Sequence, residues 1–79
     1  MTNEIKNKIV ELIKALKNGE EFDVEEPLIE SGLLDSFDMM NLIMKLGECF
    51  GVSIDGEDMT PENFSTVETI ARMVNRLQK

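Results

Sequence analysis

Ser36 is the residue of this chain best placed to do chemistry. It stands between two carboxylates in Gly32-Leu33-Leu34-Asp35-Ser36-Phe37-Asp38. An acidic stretch without periodicity precedes it. An apolar pattern of helical period follows it at once and runs to Phe50. A hydroxyl at such a junction has two uses. It can cap the helix, because a Ser or Asp oxygen accepts a backbone N–H of the first turn, worth about 1 kcal/mol. It can also carry a phosphate-linked group, because a helix N-terminus offers free N–H groups and the positive end of the helix dipole.

Other reactive constellations are missing. The 79 residues include no histidine, so Ser–His–Asp and Cys–His nucleophile systems are excluded. With one cysteine and no histidine, a zinc site of the usual kind is excluded too. No glycine-rich phosphate-cradling stretch is present. Asp55-Gly56-Glu57-Asp58 has the wrong spacing for an EF-hand and reads as a solvated acidic turn, so no metal site is expected. The composition points away from an enzyme and towards something that enzymes act upon. Cys49 cannot form an internal disulfide and fits a reducing compartment. There is no membrane-spanning run and no basic-then-apolar leader, which predicts a cytoplasmic protein.

The net charge of −8 is unevenly spread. Met1 to Lys17 holds four Lys and two Glu, whereas Asn18 to Asp35 holds seven acids and no base. Ser36 to Ser65 adds six acids against one Lys, and the last stretch is mildly basic. The acidity therefore surrounds Ser36. It argues against nucleic acid, whose phosphates need a basic patch. It fits either partners with basic surfaces, steered by opposite fields, or a solvated surface that only keeps the protein soluble.

Three helices and one short one must position the serine. Ile5, Ile9, Leu12, Ile13 and Leu16 fall on one face of a first helix, with Thr2 or Asn3 as its cap and Gly19 as its left-handed stop. Lys14 and Lys17 suit the negative end of its dipole. Asn18 to Asp35 is a long loop, in which Phe22, Val24, Leu28, Ile29, Leu33 and Leu34 are spaced to pin it across the helices. Pro27 to Glu30 can form one helical turn, and Gly32 allows the backbone to swing into the next helix.

The helix from Ser36 to Phe50 has more apolar surface than a small bundle needs. Met39, Leu42, Ile43, Leu46 and Phe50 make a core stripe, and Asp38, Asn41, Lys45 and Glu48 a polar side. A second apolar flank remains, with Phe37, Met40 and Met44, and Ser36 projects on it. Either this helix is buried on nearly all sides, or the flank is an exposed docking surface; a domain this small has little room for the first. Flexible, polarizable methionines suit a surface that meets several partners. Gly47, in the same row, suggests a close approach. Cys49, at the stripe's edge, reads as a small core filler.

Gly51 to Met59 reads as a loop. Thr60-Pro61 opens a short third helix through Phe64. Ser65-Thr66-Val67-Glu68 has the form of a capping box and opens a last helix with Val67, Ile70, Ala71, Val74 and Leu77 on its face. The expected architecture is all-α: one domain over residues 1–79, a four-helix antiparallel bundle with a short third helix and a long first loop.

These residues resemble the acyl carrier protein family, which includes peptidyl and D-alanyl carriers. The likeness rests on Gly32 to Asp38, the helix to Phe50, Gly51-Val52-Ser53-Ile54 and Asp58 to Phe64, and covers almost the whole chain. It implies that Ser36 is the attachment point for 4′-phosphopantetheine, delivered from coenzyme A by a phosphopantetheinyl transferase. It further implies a monomeric, non-catalytic carrier. Its arm would hold acyl or aminoacyl groups as thioesters for a loading ligase and for downstream synthases or transferases of fatty-acid, polyketide or peptide type. Partner enzymes with basic surfaces would meet Asp35, Phe37, Asp38, Met40, Met44 and Glu48, with Ile54 at the rim. Fatty-acid carriers usually read Gly-Ala-Asp-Ser-Leu and carry more acids along this helix. Here Leu33-Leu34 precede Asp35, Phe37 follows the serine, and Asn41 and Gly47 replace common carboxylates. That looks nearer to D-alanyl and free-standing peptidyl-type carriers. The rival from another class is a helical interaction module without a prosthetic group, in which Ser36 is only a cap.

Overall fold

The computed structural model describes residues 2–19, 21–23 and 25–78. Three α-helices carry the fold: α1 (Thr2–Leu16), α2 (Ser36–Phe50) and α3 (Val67–Leu77). Among the described residues there is no strand. Helix α1 packs against both α2 and α3 and forms the middle of the assembly.

One continuous core holds the helices together. Ile9 and Ile13 of α1, Leu42 and Leu46 of α2, and Ile70, Met73 and Val74 of α3 are all fully covered. Burying each side chain of this kind stabilises the fold by about 1.5–3 kcal/mol before chain entropy is counted. The expected faces of α1 and α3 are the ones buried, with Leu12, Leu16 and Leu77 half-buried at their edges. Met73 lies outside the predicted face of α3 and is nevertheless buried. Thr2 and Asn3, expected as alternative caps, both lie within α1.

The long first connection is folded onto the core. Asn18 and Gly19, at φ +58° and +81°, turn the chain out of α1. Pro27 to Ser31 closes one helical turn through a 2.9 Å bond from the Ser31 N–H to the Pro27 carbonyl. Leu28, Leu33 and Leu34 then enter the core, whereas Ile29 stays exposed. The Leu34 N–H donates to the Leu28 carbonyl at 3.0 Å, and the Leu28 N–H to the Ser65 carbonyl at 2.8 Å. These bonds tie the segment before Ser36 to the segment before α3. Gly32 makes the bend at φ +85°, a conformation other residues rarely adopt. Phe22 is half-buried against the core. Val24, also expected to pin this loop, lies outside the described residues.

Four expectations need correction. The short helix predicted at Thr60–Phe64 is a single turn, closed by the Phe64 N–H on the Thr60 carbonyl at 3.2 Å. A 3₁₀ turn at Gly56–Asp58, read from the sequence as loop, lies just before it. Asn63 binds both Thr60 Oγ1 and the Asp58 carbonyl, and those local bonds compete with helix continuation. The cap of α3 is Thr66, one residue later than predicted. Its Oγ1 accepts the Thr69 N–H at 3.3 Å while Thr69 Oγ1 accepts the Thr66 N–H at 3.0 Å. Glu68 is released from capping and pairs with Lys6 and Arg72. Finally, Cys49 is exposed and fills no core space.

Candidate functional site

The start of α2 is built by its two aspartates. Asp35 takes the extended N-cap conformation, at φ −101° and ψ −174°. Its Oδ1 accepts the Asp38 N–H at 2.8 Å, and Asp38 Oδ2 accepts the Asp35 N–H at 3.4 Å. This reciprocal capping box satisfies two donors that a helix end otherwise leaves open. It also corrects the capping reading of Ser36. The serine is the first residue of the helix, the cap is Asp35, and no helix-end N–H depends on the serine hydroxyl.

Ser36 is exposed. Its hydroxyl has no hydrogen-bond partner among the described residues, nor do the N–H groups of Ser36 and Phe37. An accessible, uncommitted hydroxyl therefore stands beside two open backbone donors at the positive end of a 15-residue helix. A phosphodiester on that oxygen would meet favourable partial charge, and attachment would cost no existing hydrogen bond.

Beside the serine lies the predicted apolar flank, and it is open. Phe37, Met40 and Met44 are 73%, 68% and 63% exposed. Their spacing sets them on one side of α2. The reading of α2 as buried on nearly all sides is thus set aside. Leu42 and Leu46 are buried on the other side, with Met39, Ile43 and Phe50 half-buried against the core. Of the remaining predicted contact residues, Asp35 and Glu48 are exposed, and Ile54 is half-buried against the core. Gly47 does mark a close approach: a Cβ there would sit 3.2 Å from the Val52 carbonyl oxygen. Two grooves of about 450 and 350 Å³ lie elsewhere, lined by residues of α1, α3 and the loops and by none of α2.

Asp38 does not fit the contact role expected of it. Its side chain is only 14% exposed and binds Lys17 Nζ at 3.0 Å. The hydrogen bond from Lys17 is the main influence holding the Asp38 carboxyl below the ordinary aspartate range; burial opposes it, and the Asp35 backbone assists it. Sequence reasoning placed Lys17 only at the end of a helix dipole. Nothing in its spacing to Asp38, 21 positions away, could have revealed the pair.

Residues 3–74 match the family described as the phosphopantetheine attachment site. The chain belongs to that family. Its cofactor is covalently attached 4′-phosphopantetheine, and the alternative of a module without a prosthetic group falls away. Its relatives are carrier proteins. It is 37% identical over 75 residues to aminoacyl carrier protein 1 of Bradyrhizobium diazoefficiens, covering 90% of this chain and 82% of the relative. It is 32% identical over 72 residues to the D-alanyl carrier protein of Lactococcus lactis subsp. cremoris, covering 89% and 91%. A D-alanyl carrier protein of Lactobacillus delbrueckii subsp. bulgaricus is 26% identical over 77 residues, 95% of either chain. Among the described residues no helix is long and apolar enough to cross a membrane.

Proposed function

We propose that Ser36 bears the phosphopantetheine arm and that the chain is a carrier of aminoacyl thioesters, itself without catalytic activity. The observation that carries the site is the division of labour at the start of α2. Asp35 caps the helix, so the neighbouring hydroxyl is free to be modified. In the transfer, the Ser36 Oγ–P bond forms as the diphosphate linkage of coenzyme A breaks. The adenosine bisphosphate leaves with the electron pair, and the serine proton passes to a base of the transferase or to water. The arm's thiol supplies the thioester chemistry. The chain's own residues keep the attachment point exposed and offer Phe37, Met40 and Met44 to partner enzymes. Asp35 and Glu48 supply the negative rim that basic partners recognise.

Aminoacyl cargo is favoured over a fatty chain by the names of the relatives, which are aminoacyl and D-alanyl carriers. A small polar cargo also needs no apolar shelter, because little of its surface gains from leaving water. A D-alanyl group for cell-envelope polymers is one member of this class.

Intact mass before and after incubation with coenzyme A and a broad-specificity phosphopantetheinyl transferase tests the site. The expected result is one added arm on the wild type and none on Ser36→Ala. The Ser36→Ala protein should keep its stability within about 0.5 kcal/mol, as a surface change without a capping role does. An arm on the variant would move the site elsewhere. For the cargo, alanyl and octanoyl arms should leave the amide exchange of α2 and α3 equally unchanged. Protection by octanoyl alone would return the fatty-acid reading to first place.

A further inference from the structure

Lys17 follows α1 directly, and Asp38 lies in the first turn of α2. Their 3.0 Å contact therefore closes the whole connection between the two helices. Asp38 Oδ2 receives Lys17 Nζ and the Asp35 N–H together, and Asp35 Oδ1 receives the Asp38 N–H. One carboxylate thus joins the end of α1 to the residues on both sides of Ser36. Among the ion pairs of the described residues this is the most covered, with Lys17 25% and Asp38 14% exposed. Coverage matters because exposed pairs are screened and lose their strength to water.

We propose that Lys17 is a positioning residue for phosphopantetheine attachment: by clamping Asp38 it holds the first turn of α2 so that the Ser36 hydroxyl is presented in one fixed orientation. The proposal rests on Ser36 being the attachment point. Among the described residues, the charged groups that face Asp38 are Lys17 from the end of α1 and Asp35 from the connection. The new phosphodiester places a third negative charge between those of Asp35 and Asp38. Like charges in one turn repel, and Lys17 is the cation already in contact there. Without it, the Asp38 carboxylate turns to water, the Asp35 N–H loses its acceptor, and the turn that bears the serine loosens. In this role Lys17 acts on the reacting hydroxyl through Asp38.

The test uses the full chain as Lys17→Met, Lys17→Arg, Asp38→Asn and the Lys17→Met/Asp38→Asn double variant. Arm uptake is followed by intact mass, and the Asp38 carboxyl is titrated by NMR. Lys17→Met should lower kcat/KM for uptake by about tenfold, below the 10²-fold that a 1 Å misplacement can cause. It should also move the Asp38 titration up towards the ordinary aspartate value, and Lys17→Arg should restore both. The two single changes should not multiply in the double variant, because they break one link. Wild-type uptake by Lys17→Met overturns the proposal, even if Asp38 titrates differently. Slowed uptake with an unmoved Asp38 titration, or multiplying effects, also overturns it, because Lys17 would then act by touching the transferase. A wild type that takes up no arm overturns the assignment of Ser36, and the role of Lys17 with it. The Asp38 titration still reads the clamp itself in that case.

Discussion

Helices α2 and α3 begin alike and are used differently. Each opens with a reciprocal capping box, Asp35 with Asp38 and Thr66 with Thr69. Beyond that first turn they diverge. Helix α3 hides its large apolar residues, with Val67, Ile70, Met73 and Val74 covered and Arg72, Asn75 and Arg76 outside. Helix α2 hides Leu42 and Leu46 but leaves Phe37, Met40 and Met44 in water. Exposing three large apolar side chains on one side brings the isolated molecule no stability, because none of that area is removed from water. The difference teaches that α3 answers to the core alone, whereas α2 gives one apolar side to the core and leaves a second in water, the side proposed above to meet partner enzymes.

The largest effect should separate the two helices in stability. Ile70→Ala removes a covered side chain and should cost about 2–5 kcal/mol in denaturant unfolding, whereas Met40→Ala should stay within about 0.5 kcal/mol. A comparable loss from Met40→Ala would mean that the flank belongs to the core. Next in size is function. Met44→Lys should reduce the kcat/KM of a partner enzyme by about tenfold or more, as loss of an apolar anchor does, with the melt unchanged. Undiminished turnover would remove the flank from the docking surface. Smaller again are the caps: Asp35→Ala and Thr66→Ala should each cost about 0.5–2 kcal/mol. If Asp35→Ala is neutral, the serine is the cap after all and the argument for its freedom fails.

The smallest effect is local and depends on pH. Asp38 has its folded-state pKa depressed, chiefly by Lys17. Its contribution to stability is therefore present above the ordinary aspartate value, about pH 4, and is lost as the pH falls through the folded-state value. The threonines that cap α3 carry no titrating group. On acidification from pH 7 to 3, the Asp35 amide, which donates to the Asp38 carboxylate, should lose exchange protection before the Thr66 amide, which donates to the Thr69 hydroxyl, does. Simultaneous loss would show that the charged cap adds nothing to the neutral one.

What was legible beforehand was local. The buried faces of α1 and α3, the split between the core stripe and the open flank of α2, the turn at Pro27 and the bend at Gly32 all follow from residues within one or two turns of each other. Periodicity and backbone preference act over that range. The special standing of Ser36 was legible for the same reason, because a helix start after an acidic loop is a local event. The exact caps were harder: Asp35 and Ser36, like Ser65 and Thr66, are adjacent residues of similar capping tendency. The choice went to the residue whose backbone is extended where the chain enters the helix, and the folded connection before it decides that.

By itself, then, the sequence determined an all-helical chain with an exposed serine at the head of an over-apolar helix. Only the tertiary structure decided which carboxylates are free and which are committed. Asp38 reads as one more surface acid, yet Lys17 reaches it from 21 positions away once α1 and α2 are packed. Met73 is buried, Cys49 is exposed, and Thr60–Phe64 stops at one turn. Each of these depends on what stands opposite in space, and one-dimensional spacing carries no record of that.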